Sequence, residues 1–246
     1  MNPQHLQNWR KNMKYQAILF DLDGTLLPMD NAEFTKGYFK LLAKAAAVHG
    51  YTSETLIPAM CKVVSAMLKN DRTKVNRDVF WEIFAEIFGT EVYSHIPTFD
   101  AFYSGDFYKT KELTTPNPLA ETAVRLAAEK ADKVVLATNP LFPEVAIKAR
   151  LSFIGLQIED FDLVTTYDNF GSCKPNPLYY FEIAEKMGVE PKKCLMIGNN
   201  AQEDIEAARA AGLSTYLVTD CLISKGEIPD TPQGSFAELV EFLKGI

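Results

Sequence analysis

Histidine is scarce in this chain, with 3 among 246 residues, and the 4 cysteines are scattered with no C-x-x-C pair. Cys61, Cys173, Cys194 and Cys221 share no ligand spacing with His5, His49 or His95, so neither a zinc site nor a disulfide framework is indicated. No apolar run approaches the roughly 18 residues of a membrane span. The opening MNPQHLQNWRKNMK also lacks the apolar stretch of a signal peptide, so a cytoplasmic protein is expected. Positive charge is in the minority, 25 Lys and Arg against 32 Asp and Glu, for a net charge of -7. That balance argues against broad attachment to nucleic acid or anionic membrane and favours a small-molecule partner. Internal repeats, low-complexity tracts and long runs of one charge are missing as well.

What is present is an ordinary globular composition, 47% hydrophobic and 23% charged, able to bury a substantial core. The length suits one α/β core carrying one extra module. Five short apolar, β-rich runs read as buried strands: Tyr15–Phe20, Lys133–Thr138, Asp162–Thr166, Cys194–Gly198 and Ser214–Val218. Helical patterns lie between the later runs, at Pro118–Lys130, Pro143–Ile154, Pro177–Met187 and Gln202–Ala211, with a closing helix at Phe236–Leu243. Strand and helix therefore alternate as in a doubly wound parallel sheet. Asn117-Pro118, Pro143 and Asn176-Pro177 suit first turns of helices, and Gly188 and Gly212 suit their ends.

The stretch 28–114 breaks the alternation and reads as helices at Asn31–His49, Ser53–Lys69, Asn76–Phe88 and roughly Thr98–Lys111. Prolines punctuate both boundaries, at Leu27-Pro28 and in Thr114-Thr115-Pro116-Asn117-Pro118, where helices cannot continue. The expectation is an α/β core from 1–27 and 115–246, with a helical cap domain at 28–114 and a hinge at the two crossings. Phe80, Phe84 and Phe88 recur every four residues beside Trp81, an aromatic stripe whose ordinary use is packing.

The first strand runs into Phe20-Asp21-Leu22-Asp23-Gly24-Thr25-Leu26, placing two carboxylates at the carboxyl edge of a parallel sheet, where ligands bind. Period-two geometry points Asp21 and Asp23 the same way unless the turn at Gly24 redirects the second. Two close carboxylates resist joint ionisation, so the pair implies either a raised pKa on one or a bound hard cation.

Asp-x-Asp-Gly-Thr after an apolar strand, followed by an inserted helical region, resembles the haloacid-dehalogenase-like superfamily in its phosphatase branch. The resemblance implies a core strand order of 5-4-1-2-3, with Asp21 as nucleophile and Asp23 as general acid/base. The dehalogenase branch lacks the second aspartate, because displacing halide needs no proton on the leaving group, so Asp23 favours phosphoryl transfer. Val134-Val135-Leu136-Ala137-Thr138-Asn139 matches the second motif, and the match assigns phosphate binding to Thr138 with Asn139 nearby. Gly171-Ser172-Cys173-Lys174-Pro175 resembles the third, in which lysine steadies the nucleophile and the phosphoryl charge.

Leu195-Met196-Ile197-Gly198-Asn199-Asn200, followed by Ala201-Gln202-Glu203-Asp204, resembles the acidic Gly-Asp-x-x-x-x-Asp motif that completes a magnesium site. Asn199 stands in place of its first aspartate, and an amide oxygen brings no negative charge to Mg²⁺. The implied metal set is Asp21, the Asp23 carbonyl and Asn199, with Asp204 in the outer shell or joined through water. Taken singly, a Thr after a strand is usually a cap and a Lys-Pro a solvated loop; their ordered company changes the reading.

The expected activity is Mg²⁺-dependent hydrolysis of a small phosphorylated metabolite by a monomeric protein that needs neither nucleic acid nor membrane. A phosphomutase of the same superfamily is the alternative. A third reading, motivated by Asn199, is a non-catalytic module that binds a phospholigand. Response-regulator receivers also combine Asp, Thr and Lys, but place the acceptor on a middle strand and carry no inserted cap.

Overall fold

The computed structural model describes residues 15–246; the amino-terminal stretch read for a signal sequence lies outside the described residues. Within the described residues a six-stranded sheet has the order β3-β2-β1-β4-β5-β6, every neighbouring pair parallel. Its strands are β1 (Tyr15–Phe20), β2 (Ala131–Leu136), β3 (Leu163–Val164), β4 (Cys194–Gly198), β5 (Ser214–Val218) and β6 (Gln233–Gly234). The first five follow the order that the resemblance implied. The sixth is a two-residue addition beside Leu217 and Val218, too short and polar to register as an apolar run.

Both faces of the sheet are covered, which is why residues 17–20 of β1, residues 134–136 of β2 and all of β4 are apolar and buried. Successive residues of β1 divide between two cores: Ile18 and Phe20 join one, Ala17 and Leu19 the other. That split is the period of two expressed in burial.

Between β1 and β2 the chain forms α1 (Asn31–Ala46), α2 (Ser53–Met67), α3 (Asn76–Phe88) and α4 (Ile96–Ser104). Asp30 caps α1, its Oδ1 accepting from the backbone N–H groups of Ala32 and Glu33 at 2.9 and 3.0 Å. The helix expected over Thr98–Lys111 stops early, at Gly105, and a 3₁₀ segment Asp106–Leu113 completes the insertion. The aromatic stripe packs: Phe80, Trp81 and Phe84 are buried, and the Phe84 ring lies 4.9 Å from Phe88 and 5.8 Å from Phe99.

Two sets of backbone hydrogen bonds fix the insertion on the sheet. Where the chain leaves and returns, Thr115 N–H donates to the Pro28 carbonyl at 2.8 Å, beside the bridge between Met29 and Thr114. At the α2–α3 loop, Arg72, Asn76 and Arg77 donate to the carbonyls of Gly171, Phe170 and Tyr167 at 2.9, 2.7 and 2.8 Å. The remaining helices are α5 (Ala120–Lys130), α6 (Glu144–Ser152), α7 (Leu178–Met187), the short α8 (Ala207–Ala210) and α9 (Phe236–Gly245). A π-helical turn, Ala201–Glu206, leads into α8 where a plain helix was expected.

Candidate active site

The site grows from the end of β1. Asp21 still belongs to the sheet, its N–H donating to the Ile197 carbonyl at 2.9 Å. The chain then turns, with Leu27 N–H returning to the Leu22 carbonyl at 2.9 Å. Gly24 makes the turn workable twice over: its φ is +88°, and a Cβ there would lie 2.3 Å from Asn199 Nδ2. The turn sends the two carboxylates to different partners. Lys174 Nζ donates to Asp21 Oδ1 at 2.9 Å, and Thr25 Oγ1 lies 3.1 Å from Asp21 Oδ2. Asp23 Oδ2 instead ion-pairs with the Arg150 guanidinium.

Lys174 also donates to Asp204 Oδ1 at 2.7 Å, so one fully buried ammonium joins two carboxylates. Burial disfavours its charge, yet Asp204 and Asp21 outweigh that and hold the ammonium well above the ordinary lysine range. Burial pushes Asp204 up, opposed by Lys174 and reinforced by the charge of Asp21. Asp204 is fixed further by the Asn200 N–H, 2.9 Å from its Oδ2.

Thr138 and Asn139 follow β2. The Thr138 carbonyl accepts from Thr165 Oγ1 at 2.6 Å and Tyr179 OH at 2.9 Å, which sets the backbone at this edge. Asn139 Nδ2 reaches the Lys174 carbonyl at 3.3 Å and Glu203 Oε2 at 3.2 Å, while its Oδ1 is buried without a partner. Asp21, Asp23, Thr138, Asn139, Asn199 and Asp204 line one pocket of about 190 Å³, and Lys174 is buried against two of them. All the residues singled out in the sequence are therefore brought together. A more open cavity of about 1160 Å³ along the two connecting segments includes neither Asp21 nor Lys174.

Two residues of the site carried no signal of their own in the sequence. Arg150, on α6, is wholly buried and meets Asp23 on one side, with its guanidinium 4.4 Å from the Phe142 ring centroid. The available signal was a cation among the inward positions Ala146, Ile147 and Leu151 of a helix. Glu203, quoted only as motif filler, also lines the pocket, and burial pushes its carboxyl above the usual range. Burial likewise raises Asp23, with Arg150 opposing and Asp21 reinforcing the rise. Among the described residues, Asp23 Oδ1 and Arg150 Nη2 are buried without hydrogen-bond partners.

Among the described residues no cluster of three or more His, Cys, Asp and Glu side chains is arranged to hold a metal ion. The donor set here is different. Thr25 Oγ1 stands 3.1 Å from both Asp21 Oδ2 and Asn199 Oδ1, and its one proton cannot fully serve both. A carboxylate and an amide oxygen therefore meet at the Thr25 hydroxyl, and both residues line the pocket. Hard oxygen donors of this kind fit Mg²⁺, with a low ligand charge.

A model of the haloacid dehalogenase-like hydrolases matches residues 15–212. The phosphoglycolate phosphatase of Aquifex aeolicus (strain VF5) is 28% identical over 229 residues, spanning 93% of this chain and 96% of that protein. The glyceraldehyde 3-phosphate phosphatase of Methanothermobacter thermautotrophicus is 28% identical over 211 residues, 82% of this chain and 85% of that one. The crystal structure of 2-haloacid dehalogenase from Pseudomonas syringae pv. Tomato DC3000 shares the fold, with a TM-score of 0.61 at 16% identity over 94% of this chain and 99% of that one. The chain belongs to the haloacid dehalogenase-like hydrolases. Within that family it is an enzyme of the phosphatase kind, a phosphoric monoester hydrolase.

Proposed function

We propose that the protein hydrolyses a small-molecule phosphomonoester through an aspartyl-phosphate on Asp21, with Asp23 as general acid and then general base. The observation that carries this is the division of labour between the carboxylates. Asp21 is held by Lys174 and Thr25, while Asp23 sits in the same pocket on a separate cation, with its pKa raised by burial.

The phosphoryl group lies beside Thr138, Asn139 and the Lys174 ammonium. An Asp21 oxygen forms the bond to phosphorus as the bond to the alcohol oxygen breaks, and protonated Asp23 delivers its proton to that oxygen. Asp23, now a carboxylate, takes a proton from a water that attacks phosphorus, and Asp21 leaves as a carboxylate with inorganic phosphate released. Held by Asp21, the Asp23 carbonyl and Asn199, with Asp204 reaching it through water, Mg²⁺ would neutralise charge on the phosphoryl oxygens. The helical insertion at 28–114 acts as a cap that excludes bulk water and selects the leaving group. A cytoplasmic setting accords with four free cysteines.

The test is phosphate release from a panel of metabolite phosphates with Mg²⁺ or with chelator, comparing wild type with Asp21→Asn. Release that requires both Mg²⁺ and Asp21 is the expected result. In Asp23→Asn the phosphoenzyme should accumulate on an activated aryl phosphate, read as one added phosphoryl mass. Undiminished turnover by Asp21→Asn would sink the mechanism.

A further inference from the structure

A second cavity, of about 500 Å³, lies under α1 and α2 and is contiguous with the reactive pocket: Asp23, Asn31, Leu141 and Phe142 line both. Its wall is apolar, including Phe34, Tyr38, Met60, Val64, Phe80 and Phe142, and among the described residues no Lys, Arg or His lines it. The hydroxyl of Tyr38 is already engaged with that of Tyr103 at 2.8 Å. Arg150 does not line it; it is fully buried and already paired with Asp23. The volume is that of a small-molecule site.

We infer that this cavity receives the leaving group and selects an uncharged, apolar alcohol, so that the substrates of choice are alkyl or aryl phosphomonoesters. This rests on the phosphatase reading above, which seats the phosphoryl group beside Asp21 and so directs the ester oxygen towards Asp23 and the cavity. A carboxylate on the alcohol would lose its water in an apolar chamber with no cation among the described lining residues to meet it. A polyol would lose water from several hydroxyls against a wall whose polar side chains are chiefly Asn31, Thr35 and Ser65. Phosphoglycolate is disfavoured on the first count and sugar phosphates on the second, whatever the relatives act on.

The discriminating pair is hexyl phosphate and 5-carboxypentyl phosphate, two primary alkyl esters of nearly equal intrinsic reactivity that differ in the terminal charge. Hydrolysis of each is measured with Mg²⁺, and binding of the two matching phosphonates, which cannot be hydrolysed, is measured by calorimetry on the same protein. The expected result is at least about tenfold tighter binding of hexylphosphonate, with kcat/KM favouring hexyl phosphate in the same sense. Thr35→Arg places a cation at an exposed position on the cavity wall and should narrow the ratio. Equal or tighter binding of the carboxylated phosphonate by wild type overturns the inference. Absence of hydrolysis of either ester would count against the phosphatase reading alone, because the phosphonates still report on the cavity.

Discussion

Arg150 and Asp23, 127 positions apart in the chain, form an ion pair in which the guanidinium is wholly buried and the carboxylate side chain is 25% exposed. The pair leaves Arg150 Nη2 and Asp23 Oδ1 without partners, so it is held by one contact rather than by a two-pronged fork. The Ala146 carbonyl, 3.3 Å from Arg150 Nε, and the Phe142 ring hold the guanidinium from behind. Such an arrangement holds Asp23 through Oδ2 and leaves Oδ1 buried.

On the proposed mechanism, replacing Arg150 by Met should lower kcat by about tenfold to a hundredfold with a smaller change in KM, since Asp23 is misplaced rather than the phosphate site. Stability should fall by about 2 to 4 kcal/mol, because the change strands a carboxylate that is mostly buried. Arg150→Lys should recover part of the loss in kcat, the charge being restored without the planar guanidinium. Steady-state kinetics and chemical denaturation check both parts; an unchanged kcat in Arg150→Met would refute the positioning role.

Gly171 meets the α2–α3 loop at close quarters. A Cβ there would lie 2.5 Å from the Lys74 carbonyl oxygen and 2.8 Å from Arg72 Cα, both backbone atoms that can give way only by moving the loop. Gly171→Ala should push the insertion away from the sheet, raising KM several-fold and costing about 1 to 3 kcal/mol. Limited proteolysis should cut faster within 70–76. Wild-type kinetics together with an unchanged cleavage pattern would show that this contact does not hold the insertion down.

The imidazoles of His49 and His95 stack with ring centroids 3.8 Å apart, and Tyr51 OH lies 2.8 Å from His95 Nδ1. Burial and then the neighbouring His49 push His95 below the ordinary histidine range, with Glu91 opposing. The folded protein thus favours neutral His95 more than the unfolded chain does. Its contribution to stability is complete above the unfolded value of about 6.5 and is lost as pH falls through the lower folded value. The melting temperature should drop by about 1 to 3 °C between roughly pH 7.5 and pH 5.5 from this source. His95→Gln should flatten that part of the profile; an identical slope in the variant would assign it to other groups.

Strand limits were legible wherever an apolar run was long and bounded, as in β1, β4 and β5, whose ends coincide with the sequence reading. β3 shrank from five residues to Leu163–Val164 because only two of them pair at the sheet edge with β2. The reach of Asp204 was hidden too. It lies within a π-helical turn rather than a regular helix, and its partner Lys174 lies 30 positions away. Arg150 was missed for a simpler reason: a cation on a helix ordinarily reads as solvent-facing, and only the fold pairs it with Asp23 and packs it on Phe142. Asp21 and Asp23 could be read from the end of a strand, whereas Thr138, Lys174, Asn199 and Asp204 could be picked out only through the family resemblance; the fold brings them together because parallel strands deliver such residues to one edge.

Asn199 has a structural reason to be an amide. Its Nδ2 donates to the Cys221 carbonyl at 2.6 Å, while its Oδ1 faces Thr25 beside Asp21. An aspartate here would set an oxygen against that carbonyl and lose the bond, at a cost of about 1 to 3 kcal/mol. It would also bring a second carboxylate next to Asp21, strengthening a hard-cation site by ligand charge. Asn199→Asp should therefore melt lower than wild type in chelator and regain part of the difference in Mg²⁺. Calorimetry should give about tenfold tighter Mg²⁺ binding by the variant. Tighter binding without the loss in chelator would mean that the Cys221 bond contributes little. Loss without tighter binding would remove Asn199 from the metal set, leaving Asp21 and the backbone to hold the cation.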